Sequence, residues 1–229
     1  MAEKPNWFAN DLGAIPPRVM AELESAGVER GRPLIAVDAD EVLVHFAEHF
    51  AEWLEALGYS FRLTEYKLAS AIRSAAGEVL TKQEIAPLVW SFIEGETARQ
   101  RAIDGAVEAL SRLAGSAQIV VLTNAPSMVR AARVTNLGAL GMNYPVVMNE
   151  GGKGRALQWL AERADAPVAF IDDSAEQLDS AAKLAIGVKR FHLVGSSMLK
   201  PVIGRADTAE HHPEDWREAE TMVLRALGA

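Results

Sequence analysis

The chain has 229 residues, a formal charge of −8, 49% apolar residues and no cysteine. That length suits one α/β core with at most a modest insertion, and the missing cysteines exclude disulfides, thiolate metal sites and cysteine nucleophiles. The negative charge argues against nucleic acid as the main partner, because affinity there comes from neutralising phosphates, yet a local site in an acidic protein can still take a small anion.

Residues 1–32 begin irregularly around Pro5, Gly13 and Pro16-Pro17. Val19, Met20, Leu23 and Ala26 then predict a short helix stopped by Gly27. Leu34 to Val37, four apolar residues after Gly31-Arg32-Pro33, predict a strand buried on both faces. It stops at Asp38-Ala39-Asp40, and strand alternation puts the two carboxylates on one side. With an effective dielectric of about 20, two like charges about 4 Å apart cost roughly 4 kcal/mol, so the pair is either solvated or matched by a cation.

Helical spacing follows: Val42, Phe46, Phe50, Trp53, Leu54 and Leu57 predict a helix ending near Gly58. Further helices are expected over 64–76 and 81–98, with Pro87 near enough to the start of the second to be tolerated. Residues 41–103 thus read as an all-helical block. Its aromatics (Phe46, Phe50, Trp53, Tyr59, Phe61, Tyr66, Trp90 and Phe92) read as core.

From Ile103 an α/β alternation sets in. A helix carries Val107, Leu110 and Leu113, and a strand over Gln118–Leu122 leads into Thr123-Asn124. Pro126 opens a helix to about Leu137. A third strand is expected over 145–148, then Gly151-Gly152-Lys153-Gly154 and a helix. A fourth, Val168–Ile171, ends in Asp172-Asp173-Ser174, and a helix, a fifth strand (188–194) and a last helix (213–227) complete the chain.

Short apolar strands separated by helices predict a parallel, Rossmann-like sheet in a three-layer α/β/α arrangement. Ligands of such sheets sit beyond the carboxyl ends of the strands. Asp38, Asp40, Thr123, Asn124, Asp172 and Asp173 all fall at those ends. The four aspartates form an acidic nest that favours a hard divalent cation, with magnesium the natural candidate. Thr123 offers a hydroxyl, the turn after it offers backbone N–H groups, and Lys153 is the one cation placed to join them. Taken singly, Thr123 reads as a strand end, Lys153 as a solvated helix start and Asp172-Asp173-Ser174 as a helix N-cap. The shared site rests on their joint order.

In that order the chain resembles the haloacid dehalogenase (HAD) superfamily. Asp38-Ala39-Asp40, Thr123, Lys153 and Asp172-Asp173 match its four motifs over about Pro33 to Val194. The resemblance implies a core of 1–40 and 104–229 with a helical cap, 41–103, and a magnesium-dependent phosphatase acting on a small phosphorylated metabolite. It implies Asp38 as nucleophile and Asp40 as general acid and base. Thr123, Asn124 and Lys153 would be phosphate-binding, and Mg2+ would be held by Asp38, Asp40 and Asp173, with Asp172 a ligand through water or a partner of Lys153. A dehalogenase would not need Asp40, so its presence favours phosphate chemistry. A phosphonate-cleaving relative would need a cap lysine, for which only Lys67 and Lys82 are available.

One residue departs from the pattern. Glu41 stands where the superfamily's phosphatases carry glycine, threonine or serine, and could crowd the entrance, repel phosphate or point into the hinge. It leaves open a catalytically impaired protein that binds a phosphorylated ligand or a protein partner. Tyr66, Arg73, Arg99 and Arg101 are candidate substrate contacts on the cap. His45 and His49 have helical metal-chelating spacing without a third ligand, and His211-His212 reads as a loop. No apolar run approaches the roughly 20 residues of a membrane span, and the start lacks a signal peptide's basic and apolar blocks. A cytoplasmic monomer or homodimer is the expectation.

Overall fold

The computed structural model describes residues 13–63 and 71–228. Five parallel strands form one sheet in the order β5-β4-β1-β6-β7, comprising β1 (Leu34–Val37), β4 (Gln118–Thr123), β5 (Val146–Met148), β6 (Val168–Asp172) and β7 (Lys189–His192). β1 lies at the centre, flanked by β4 and β6, so all four of its residues are fully buried. Alternate residues serve opposite faces, as the strand period requires. Leu34 and Ala36 pack with α1 (Pro17–Ser25), α6 (Gly154–Ala164) and α7 (Ala175–Leu184). Ile35 and Val37 join the other layer, with α4 (Ala106–Leu113) and α8 (Trp216–Leu227). The remaining core helix is α5 (Arg130–Ala139), which opens through a 3-10 turn, Ser127–Val129, rather than directly after Pro126. The fifth strand and the last helix are shorter than expected: β7 spans only Lys189–His192, and α8 starts at Trp216, capped by Asp215.

Between β1 and α4 lie α2 (Ala47–Ala56), β2 (Ser60–Phe61), β3 (Ile72–Arg73), α3 (Lys82–Glu96) and a 3-10 turn, Thr97–Arg99. The two connections to this insert are joined, because His45 N–H donates to Arg101 O and Ile103 N–H to Leu43 O. Phe50, Phe46, Trp53 and Phe92 form a cluster with ring centroids 5.0–6.1 Å apart, so these aromatics are core as expected.

Two expectations for the insert need correction. The helix expected over 64–76 is absent from its described part: Ile72 and Arg73 pair antiparallel with Phe61 and Ser60, and Gly77, at φ +85, turns the chain back to Ser74 O. Residues 64–70, including Tyr66, lie outside the described residues, but the insert is not all-helical. Secondly, the helix expected from Val42 begins only at Ala47. The amides of Leu43 and Val44 both return to Ala39 O, 2.8 and 3.0 Å away, winding a tight loop instead. Val42, Leu43 and Val44 are fully buried within that loop, which is why their apolar pattern imitates a helix.

α3 is started by a capping box in which Thr81 Oγ1 accepts from the Glu84 N–H and Glu84 returns to the Thr81 N–H. Pro87 sits in its second turn, where it is accommodated.

Candidate active site

The parallel order brings the ends of β1, β4 and β6 together, and with them most of the expected site. Lys153, at the N-cap of α6, directs Nζ between two carboxylates, donating to Asp38 Oδ1 at 2.5 Å and Asp172 Oδ2 at 2.6 Å. It is held there by its own N–H, which donates to Gln177 Oε1, and by Gly154 N–H, which donates to Ser180 Oγ. Gly154 is needed for this approach: a Cβ there would lie 2.2 Å from Ser180 O. Asp172 Oδ1 accepts from the Ser174 N–H, so both of its oxygens are occupied and it acts as the partner of Lys153. Ser174 itself caps α7, accepting from Gln177 N–H.

Burial pushes the Asp38 carboxyl up to about 7, with Lys153 opposing the rise and Asp172 and Asp40 adding to it. Burial alone would lower the Lys153 ammonium, but Asp172 and Asp38 outweigh it and hold the pKa above its ordinary value. Asp38 Oδ2 has no hydrogen-bond partner among the described residues, leaving one oxygen for chemistry.

Asp40 finds a different cation. Its Oδ1 accepts from Arg133 Nη2 at 2.5 Å, and Arg133, almost wholly buried on α5, also donates from Nη1 to Gln100 Oε1 at 2.6 Å. Asn136, one helical turn further on, donates to Gln100 O. A lone arginine in a helix carries no motif, and this partner was invisible in the sequence. Gln100 ends the insert, so the Asp40 carboxylate is tied through Arg133 to the hinge.

Glu41 points into that hinge, away from Asp38. Its Oε1 accepts from the N–H groups of Phe46 and Ala47, where α2 begins, and its carbonyl accepts from Gly195 N–H. Its φ is +64, the left-handed region that favours glycine and costs other residues about 1–2 kcal/mol. Burial raises its carboxyl to about 7, partly offset by the two amides, and Oε2 is buried without a partner. Trp216 Nε1 donates to Val42 O and pins the same loop.

Thr123 is buried at the end of β4, its Oγ1 accepting from Ala125 N–H at 3.2 Å. Asn124 spends its side chain clipping two loops together, donating to Gly151 O and accepting from Asn149 Nδ2. That engagement argues against the expected phosphate contact for its amide. Three arginines of the insert are likewise occupied: Arg73 by Gly77 O, Arg99 by Glu96 and Arg101 by both oxygens of Glu52. All of these partners lie within the insert, and the arginines reach none of the site residues. His49 Nε2 stands 3.2 Å from Glu96 Oε2, so it is a helix contact and not a ligand.

Asp173 is buried, and its side chain accepts no hydrogen bond from a described residue. Burial, then the charges of Asp172, Asp38 and Glu41, raise its carboxyl well above its ordinary value. Four aspartates (Asp38, Asp40, Asp172 and Asp173) thus share two cations, Lys153 and Arg133. The donor set fits a magnesium ion: it is all oxygen, its carboxyl groups outnumber the cations, and it leaves Asp173 and Asp38 Oδ2 unengaged. Among the described residues no three acidic or histidine side chains already surround one point as a metal cage. Magnesium typically takes only one or two carboxylates and keeps several waters, so it does not require such a cage.

This architecture is the fold of the HAD-like hydrolases. A HAD family hydrolase from Deinococcus radiodurans R1, solved with bound phosphate and sodium, matches with a TM-score of 0.58 at 16% identity, over 86% of this chain and 97% of its own. A HAD-like protein from Agrobacterium tumefaciens str. C58 matches with a TM-score of 0.58 at 18% identity, over 85% and 99%. An L-2-haloacid dehalogenase matches with a TM-score of 0.58 at 14% identity, over 84% and 100%. No family model and no curated protein matches the sequence. No helix among the described residues is long and apolar enough to cross a membrane.

Proposed function

We propose that this chain is a magnesium-dependent phosphatase of the HAD type, removing phosphate from a small phosphomonoester. The observation that carries the reading is the Lys153 bridge between Asp38 and Asp172 at the carboxyl ends of β1 and β6. Residues 41–103 serve as the cap over a core of 1–40 and 104–229. The neighbour solved with phosphate bound supports phosphate as the group recognised, while the neighbouring dehalogenase has a different reaction.

Asp38 Oδ2 attacks phosphorus as the bond to the leaving oxygen breaks, forming an aspartyl-phosphate. Asp40 gives the leaving oxygen a proton, then takes one from the water that cleaves the Asp38–phosphate bond and releases inorganic phosphate. To do so it exchanges Arg133 for substrate, and its side chain, about a quarter exposed, has room to turn. Lys153 and the Thr123 hydroxyl hold phosphoryl oxygens, with Lys153 keeping Asp38 aligned. Magnesium, held by Asp38, the Asp40 carbonyl and Asp173, would supply charge neutralisation between carboxylates and phosphate. It would also keep Asp38 ionised near neutral pH, which burial otherwise opposes.

The second reading, a non-hydrolytic binder, draws on the Asp40–Arg133 ion pair and the extra carboxylate of Glu41. A panel of phosphomonoesters assayed with magnesium separates the two. Turnover by the parent that disappears in Asp38→Asn supports the phosphatase. An inert parent that Glu41→Gly activates supports the binder.

A further inference from the structure

Beside the site lies a cavity of about 530 Å³ over the ends of β4 and β5. Its walls include Trp90 from the insert, Asn124 and Ser127 after β4, Asn149 and Gly152 after β5, and Arg155 on α6. β4 is the direct neighbour of β1 and β5 lies one strand beyond. Strands are spaced about 4.8 Å apart, which puts the cavity floor roughly 5–10 Å to the side of the Asp38 strand. Two of its walls, at Asn124 and Gly152, are the residues next to Thr123 and Lys153. Neither Thr123 nor Lys153 lines the cavity itself, so a substrate whose phosphoryl group they hold would reach it past Asn124 and Gly152.

The charges in the cavity are uneven. Glu150 also lines it, but its carboxylate is taken by Arg18, which donates at 2.6 and 3.2 Å. Asn124 and Asn149 are bonded to each other and to Gly151 O. Arg155 has no hydrogen bond or ion pair with any described residue, and its Nε is buried without a partner. A half-buried guanidinium with an unmatched buried N–H is costly unless something binds it. Successive helical residues differ by about 100°, so Arg155, two positions after Lys153, projects roughly opposite to it. Lys153 turns to Asp38, and Arg155 turns to the cavity.

We propose that Arg155 recognises a second anionic group on the substrate, a carboxylate or a further phosphate, so that the preferred ester carries charge at both ends. A guanidinium fork suits either oxyanion, and the Ser127 hydroxyl on the same wall is a second donor. The inference rests on the phosphatase reading of the Asp38 site, but it is testable apart from turnover.

The probes are propyl phosphate, its ω-carboxylate analogue 3-(phosphonooxy)propanoate, and 1,3-propanediol bisphosphate. With magnesium, kcat/KM for at least one doubly anionic ester should exceed that for propyl phosphate, and Arg155→Met should reduce this ratio by about 100-fold. Arg155→Lys should retain part of it. Isothermal titration of Asp38→Asn protein with the same compounds reads the preference without turnover. The carboxylate and bisphosphate arms show which oxyanion is taken. Hydrolysis of propyl phosphate with no preference for either charged ester, in rate and in titration, overturns the Arg155 assignment and leaves the phosphatase standing. Hydrolysis of none of the three, together with a titration preference that Arg155→Met removes, overturns turnover and keeps the pocket. Equal binding of all three, or none, overturns the pocket.

Discussion

The two sides of the candidate site are built to different standards. On the β6 side, Lys153, Asp172, Gln177, Ser174 and Ser180 satisfy one another in a buried network that fixes Asp38 Oδ1. On the insert side, buried polar atoms are left over: Glu41 Oε2, Gln100 Nε2, Arg133 Nε and Asn136 Oδ1 all lack partners. Fully satisfied buried networks rigidify a structure, whereas each unmatched group costs about 1–3 kcal/mol. The first side is a fixed anvil for the proposed nucleophile, Asp38. The second stores unspent hydrogen-bonding capacity around Asp40 at the hinge, where the proposed reaction requires Asp40 to change partners.

Breaking the fixed side should have the largest effects. Asp38→Asn should lower phosphatase kcat by about 10⁴-fold or more, read in steady-state assays, while the folded structure survives. Lys153→Met leaves Asp38 and Asp172 buried without their cation, and should cost about 3–5 kcal/mol by urea denaturation at neutral pH. Gly154→Ala forces a Cβ against the Ser180 carbonyl, so it should cost about 1–3 kcal/mol and reduce kcat, because Lys153 must move with the helix start.

The insert side should respond more mildly and to pH. Glu41 is raised from 4.5 to about 7, so between those values the folded state keeps a proton that the unfolded chain releases. Stability of metal-free protein should therefore fall as pH rises through that window and level off above it. Glu41's share is at most about 3 kcal/mol. Urea melts in chelator at pH 5 and pH 8 should show the fall, and Glu41→Gln should make it shallower, the remainder coming from Asp38 and Asp173, which are raised as well. A stability that rises across the window in chelator would contradict the sign. The smallest effect belongs to Glu41→Gly, which relieves a left-handed φ but removes the acceptor for Phe46 and Ala47 N–H, for a net change within about 1 kcal/mol by thermal melting.

This contrast also explains what could be read from the residues alone. The inner strands of the sheet are buried on both faces, so Leu34–Val37, Ile119–Leu122 and Val168–Ile171 stand out as unbroken apolar runs. The polar residues at their ends, Asp38, Thr123, Asp172 and Asp173, inherit a defined place from the topology. The insert offers no such frame. β2 and β3 have two residues each, too few for alternation to register, and the tight loop after Asp40 is as apolar as a helix. The Thr81-Lys82-Gln83-Glu84 capping box was readable, and would have placed the start of α3 at residue 82. Arg133 and Arg155 were out of reach for another reason: one arginine per helix has no periodicity, and its role is decided by which element lies opposite.

The Lys153 cradle has a consequence for how the protein comes to exist. Its bonds reach across 115 residues to Asp38 and across 19, 24 and 26 to Asp172, Gln177 and Ser180. Closing the longest of these loops carries an entropic cost that only the assembled sheet repays. On the ribosome, β1 therefore emerges with a bare carboxylate, and it stays unmatched until the chain has been made beyond α7. The proposed nucleophile is written early in the sequence and held in place late in synthesis, so a truncated chain ending before Ser180 should carry Asp38 without the cradle that positions it.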